Sequence, residues 1–372
     1  MRTKFILFCV VLIAINVSKS FGAEPSDSTD VSRQRIAKIV REHFDGRWFL
    51  SYHYQKEEGD EINQFAIKRS YLSLKHKFNE SFNVRFTQDI TIDEEGEDAG
   101  NVEMRLKYAY LNMNLDNFAF FHEPCVEIGL VHRPWNDFEQ SINNYRVQGT
   151  MFLNRSGLFS SADFGFTFNA LLGGKVDETY QRVVSDSHPG KYGSFSVGVY
   201  NGGGYHEFER NHNKTLESRL SLRPFPDNIP GLQLTYFNIY GKGNIETTPD
   251  FTLHNLFISY EHRNFVFTSQ FYKGKGNASG TFINNFGKAY DNEGYSVFGE
   301  YKFPDYKWSV FVRYDDFKVN QSELLDRECL IWGVGYELLD KSKLIFDMEY
   351  YDESLEKGGA NYFYELALDV KF

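Results

Sequence analysis

Apolar and polar side chains take turns along most of this sequence with a period of two. At the C-terminus, Tyr362, Tyr364, Leu366, Leu368, Val370 and Phe372 hold one parity, while Glu365, Asp369 and Lys371 hold the other. A strand sends successive side chains to opposite faces, so this stretch has one apolar and one charged face. The pattern recurs upstream. Phe82, Val84, Phe86, Ile90 and Ile92 oppose Arg85, Asp89 and Asp93. Val102, Met104, Leu106, Tyr108 and Tyr110 oppose Glu103, Arg105 and Lys107. Trp308, Val310, Val312 and Tyr314 oppose Ser309, Arg313 and Asp315, and Leu344, Phe346, Met348 and Tyr350 oppose Lys343, Asp347 and Glu349.

About sixteen segments read as strands: 46–56, 63–78, 81–92, 101–114, 124–133, 162–172, 192–200, 214–223, 231–240, 251–262, 264–273, 294–303, 306–317, 328–339, 342–351 and 361–372. Most exceed the roughly 5–6 residues of ordinary soluble strands. They suit tilted strands that cross a bilayer in about 9–11 residues. The connections sort by length. Tight ones fall at Asn79-Glu80, Phe225 to Pro230, around Arg263, at Pro304-Asp305 and at Asp340-Lys341. Longer polar ones fall at 93–100, 134–161, 201–213, 241–250, 274–293, 318–327 and 352–360. That order predicts an all-β, transmembrane, up-and-down antiparallel β-barrel over 46–372, with tight periplasmic turns and larger external loops. The stretch 173–191 is long where a short turn is due, as an insertion or as a further strand pair. Trp48, Tyr52, Tyr54, Tyr108, Tyr110, Tyr350, Tyr351, Tyr362 and Tyr364 near strand ends predict interfacial aromatic girdles.

Composition agrees. The chain carries 36 Phe and 24 Tyr, yet its mean hydropathy is −0.47. Strands apolar on one side only give that combination. A net charge of −11 argues against a nucleic-acid partner. Arg2 and Lys4, the apolar run Phe5 to Val17 and the small residues of Ser20-Phe21-Gly22 predict a signal peptide over 1–22. After it no apolar run is long enough for a membrane helix, and a closed barrel is the other way to satisfy the backbone in lipid. Residues 23–45 read as a periplasmic N-terminal segment, with a short basic amphipathic helix over Val31 to Phe44. Cys125 and Cys329 form neither a disulfide framework nor a metal site; buried or lipid-facing thiols are expected, and a single bridge between them stays open. No G-x-S-x-G, H-E-x-x-H or C-x-x-C motif is present, so no catalytic residue, metal or cofactor is expected.

The connection 134–161 is unlike the other loops. Trp135, Phe138, Ile142, Val147, Phe152 and Leu153 want burial, and loops of this length are usually functional. Around it stand Lys68-Arg69-Ser70-Tyr71-Leu72, Val84-Arg85-Phe86-Thr87-Gln88-Asp89, Ala109-Tyr110-Leu111-Asn112, Ile128-Gly129, Ser161-Ala162-Asp163-Phe164-Gly165 and the terminal Phe372. In that order these stretches resemble the phosphate-selective porin O and P family. The resemblance implies a sixteen-stranded porin in the outer membrane of a Gram-negative-type cell, with its third external loop folded into the lumen. It implies passive diffusion of small hydrophilic solutes with a preference for anions or phosphate, a homotrimer set in outer-membrane lipid, and recognition by the barrel-assembly machinery through Phe372. Family members line the pore with a ladder of bases, and this chain departs from a clean ladder. By parity, its lumen-facing bases lead on the second to fifth strands and its acids on the last four. The candidate pore residues are Arg69, Arg85, Arg105, Lys107 and Arg133 facing loop acids Asp137 and Glu139, with Arg146 and Arg155 from the loop. The rival readings are a plugged barrel with a structural or adhesion role, and an outer-membrane enzyme.

Overall fold

The computed structural model describes residues 43–57, 60–92, 100–320, 325–339, 342–353 and 361–372. The expected signal peptide over 1–22 and nearly all of the expected 23–45 segment and its helix lie outside them. Sixteen strands follow in chain order: β1 (Phe44–Glu57), β2 (Asp60–Lys77), β3 (Phe82–Ile92), β4 (Val102–Asn114) and β5 (Phe121–His132). Then come β6 (Ala162–Leu172), β7 (Gly193–Tyr200), β8 (Thr215–Leu222), β9 (Leu232–Lys242), β10 (Asp250–Glu261) and β11 (Phe265–Lys275). The last five are β12 (Asp291–Lys302), β13 (Trp308–Val319), β14 (Leu325–Leu339), β15 (Ser342–Glu353) and β16 (Asn361–Lys371). Each pairs with its sequence neighbours, and β1 pairs with β16, so the sheet is a closed barrel.

The alternation read from the sequence is the alternation of exposure. On β10, Leu256 and Ile258 are exposed while Asn255, Phe257 and Ser259 are buried. On β16, Tyr364 and Leu366 are exposed while Glu365 and Asp369 are buried. Apolar side chains therefore face out, and polar ones face in, where they find partners. Arg47 grips Asp369 through Nε at 2.8 Å and Nη2 at 2.6 Å. Lys68 Nζ donates to Glu365 at 2.8 Å. Around the rim where β1 starts and β16 ends, Trp48, Phe78, Phe82, Phe225, Tyr301, Phe303 and Trp308 are all exposed.

Closure ends on the last residue. Gly46 and Phe372 exchange backbone hydrogen bonds at 2.9 and 3.0 Å. The Phe372 ring lies over Gly46 and edge-on to Trp48, 5.2 Å away. A β-carbon at Gly46 would come within 2.2 Å of that ring. Gly46→Leu must therefore displace Phe372, at a cost of about 1–3 kcal/mol, as for overpacking elsewhere. The expected result is a lower temperature for the heat-induced mobility shift of the folded barrel. Deleting Phe372 should make the Gly46→Leu change nearly neutral; additive losses would show that the two sites do not couple.

One expectation needs correction, and one open alternative is resolved. Tyr108 and Tyr110 do not face outward with Val102, Met104 and Leu106. Thr87 pairs with Tyr108 but Gln88 pairs with Leu106, so Lys107 is the extra residue of a bulge. A bulge shifts the parity of everything after it. Tyr108 is consequently buried, with its ring 3.9 Å from that of His132, and neither tyrosine belongs to a girdle. On β2, the exposed Phe65 and Ile67 precede buried Tyr71 and Ser73, so that strand also changes phase. The stretch 173–191, left open between an insertion and a strand pair, is an insertion. It holds a helix (Glu178–Val183) capped by Asp177, whose side chain accepts from the backbone N–H of Thr179 and Tyr180. The strand count stays at sixteen. Cys125 and Cys329 are both free, the first half-buried and the second buried.

Candidate functional site

The connection 134–161 joins β5 to β6 and contains two short helices, α1 (Asn136–Ile142) and α2 (Phe152–Arg155). Its apolar residues are buried as their chemistry requires. Trp135, Phe138, Tyr145, Phe152 and Leu153 are all within 1% of full burial. They pack on inward-facing side chains of distant strands. Trp135 stacks on Phe237 of β9 at 5.2 Å and meets Phe257 of β10 edge-on. Tyr145 stacks on Phe311 of β13 at 4.0 Å and donates to Glu300 of β12 at 2.8 Å. Phe152 meets Tyr272 of β11. Full burial of each such ring stabilises by about 1.5–3 kcal/mol.

Polar ties follow the same course. Arg313 of β13 donates to the Thr150 carbonyl at 2.9 Å. Arg155 pairs with Glu349 of β15. Arg146 donates to the Tyr71 hydroxyl of β2 and sits over its ring. Glu139 accepts from Trp135 Nε1 at 2.8 Å and from Gln270 of β11. The segment thus touches wall residues from β2 to β15.

Glu139 is held in a dry setting. Burial pushes its carboxyl from 4.5 up to about 7, against the opposing pull of Arg313 and the two donors. The folded state then binds more protons than the unfolded chain between these values, so stability falls as pH rises across that window. Glu139→Gln should flatten the fall. Thermal unfolding of both proteins from pH 4 to 8 checks this; equal slopes would show that Glu139 is not the group responsible.

On the other flank a charged cluster forms around His132. Its Nδ1 lies 3.1 Å from Glu127, and its Nε2 lies 3.1 Å from Asp137 and 3.2 Å from Arg85 Nη1. Arg85 also donates to Thr87 at 3.1 Å and stacks on Tyr108. Lys107, turned by the bulge, donates to Tyr71 at 3.1 Å and lies over its ring. Burial would raise the Asp137 carboxyl, but His132, Arg85, Lys107 and Arg146 together hold it below its ordinary value. Its side chain is nevertheless half exposed. The result is an ionised carboxylate at an open surface, ringed by cations.

The sequence-derived set is therefore split. Arg85, Lys107, Asp137 and Arg146 come together. Arg133 is enclosed and locked to Glu217, Arg69 leans on Asp89 at 3.6 Å, and Arg105 pairs with Glu103. Glu139 does not face the basic cluster; it turns to β11, where Gln270 donates to it, and Trp135, at the N-cap of α1 one turn earlier, also donates to it. His132, Tyr71 and Tyr108 were missed as members. The bulge that brings Tyr108 in leaves no mark on the pattern. Among the described residues, no group of His, Cys, Asp and Glu side chains is arranged to hold a metal.

No family model and no curated relative matches the sequence. The backbone does match solved structures. An anion-selective porin from Comamonas acidovorans superposes with a TM-score of 0.62 at 9% identity, covering 88% of this chain and 98% of the porin. The outer membrane channel DcaP of Acinetobacter baumannii gives 0.60 at 11%, covering 88% and 96%. The trimer form of in-vitro folded OmpT, an outer membrane protein of Vibrio cholerae, gives 0.56 at 14%, covering 88% and 98%. The barrel has the porin fold. At such identities the likeness lies in the backbone, so the charges on this porin-fold wall have to be read from its own residues.

Proposed function

We propose that the protein is an outer-membrane porin, a passive path for small hydrophilic solutes that prefers anions. The observation that carries this reading is the tethering of 134–161 to inward-facing residues from β2 to β15. A segment so held lies within the lumen and narrows it, and the face of the narrowing carries the partly exposed Arg85 and Arg146, with Lys107 buried behind them. Rings and clusters of bases favour anions. Phosphate is the anion that the sequence resemblance suggests. The leader at 1–22, the exposed apolar belt and the terminal Phe372 support export and insertion into the outer membrane, with Phe372 as the signal to the assembly machinery. A homotrimer is the expected assembly, since a porin-fold neighbour is known in trimer form. The chemistry is transport rather than catalysis. Planar-bilayer recording tests the reading: purified folded protein should give stable open steps, with a reversal potential on the anion side in a salt gradient. Folded protein that never conducts would leave the plugged barrel as the better account.

A further inference from the structure

Strands β3 to β8 and the two inserted segments, 134–161 and 173–191, line a half-open chamber of about 420 Å³. That is the size of a pocket for a small organic molecule. Among the charges that line it is Arg219 of β8, which is 1% exposed. The guanidinium donates to the Pro134 carbonyl at 2.9 Å and to Ser194 Oγ at 2.8 Å, and lies 4.1 Å above the Phe138 ring. All of these partners are neutral. Among the described residues no carboxylate comes within ion-pair distance of it, whereas enclosed Arg133 has Glu217. A buried guanidinium without a counter-charge is costly, and a carboxylate that reached it would relieve that cost.

The pocket also presents the opposite sign. Glu123, Glu127 and Asp137 line it beside Arg85 and Arg133, and the Asp137 carboxylate is half exposed. His188, from the 173–191 insertion, lines the same pocket, its ring 5.1 Å from that of Phe138. Its backbone is left-handed, with φ +46°, a conformation that non-glycine residues adopt mainly where surrounding structure imposes it. Burial, and then the charge of Arg219, push its imidazole down to about 3, with Asp137 pulling the other way. It is therefore neutral and can both donate and accept beside a ligand.

We propose that this chamber binds small zwitterions of the amino-acid type, carboxylate towards Arg219 and ammonium towards Asp137. This rests on the porin reading only for its meaning as a way station; the binding itself does not need conduction. The test is calorimetric titration of the full-length folded protein in detergent with free alanine, acetate and ethylamine, three probes of similar size. Alanine should bind at least about tenfold more tightly than either singly charged probe, as two charge-assisted contacts exceed one. Asp137→Asn should bring alanine down to the level of acetate, and Arg219→Gln should remove binding of both. If Arg219→Gln fails to fold, Asp137→Asn, at a half-exposed site, decides alone. Alanine that binds no better than acetate and ethylamine, or is unaffected by Asp137→Asn, overturns the proposal. Conducting barrels without selective binding would sink the chamber and spare the porin; selective binding in barrels that never conduct would do the reverse.

Discussion

A barrel in which residues 139–156 are replaced by a short glycine-serine linker should pass several times the current of the intact chain at each opening. On the proposed reading, the removed stretch fills the interior with large side chains rather than with solvated loop. Tyr145, Phe152 and Leu153 are essentially fully buried against the wall, and Arg146 and Arg155 tie the segment to Tyr71 of β2 and Glu349 of β15. Shortening the segment removes those groups from the cross-section and leaves the ladder of strands intact. It also leaves Glu300 and Glu349 without Tyr145 and Arg155, so some loss of thermal stability should accompany the gain in current. Single-channel conductance in a planar bilayer measures the effect. An unchanged step size would mean that the narrowest point lies elsewhere.

Reversing the open cations should change which ions cross. Arg85→Glu with Arg146→Glu is expected to carry the reversal potential from the anion side through zero to the cation side. In a tenfold salt gradient, full selectivity for a univalent ion corresponds to about 59 mV, so a change of sign is easily resolved. The choice of pair follows from geometry. Both guanidiniums border the half-exposed Asp137 and sit over the rings of Tyr108 and Tyr71. Charges partly withdrawn from water are less screened by salt. Arg105→Glu alone should do much less, because Arg105 is more exposed and already answered by Glu103. Arg133 is fully enclosed with Glu217 and should affect folding before selectivity. Equal shifts from Arg105→Glu and from the Arg85 and Arg146 pair would reject this ranking.

The strands were legible because the outer face tolerates only apolar side chains, which writes the parity plainly into β10 or β16. The burial of 134–161 was legible for the same reason: Trp135, Phe138, Ile142 and Phe152 have no place in a solvated loop, and all are buried. Legibility failed where one residue suits both faces. Tyrosine packs equally well outward or against cations, so Tyr108 gave no warning of the bulge at Lys107. It also failed where partners come from far along the chain. Nothing local to Glu139 says that Gln270 will claim it, and nothing near His132 announces Arg85 beside it. The helices α1 and α2 are too short to show a period, and the 173–191 insertion alternates in neither sense.

The seam between Gly46 and Phe372 also says something about time. The ion pair across it joins Arg47 to Asp369, 322 positions apart, while every other strand meets a neighbour already made. The last strand of the barrel is thus the one that secures the first. Until it arrives, β1 and the growing end both present unpaired backbone, the kind of edge that recruits other chains. Such a long-range contact also forms late, after the local hairpins. A chain cut short of β16 is accordingly not a smaller barrel but an open sheet with two sticky margins.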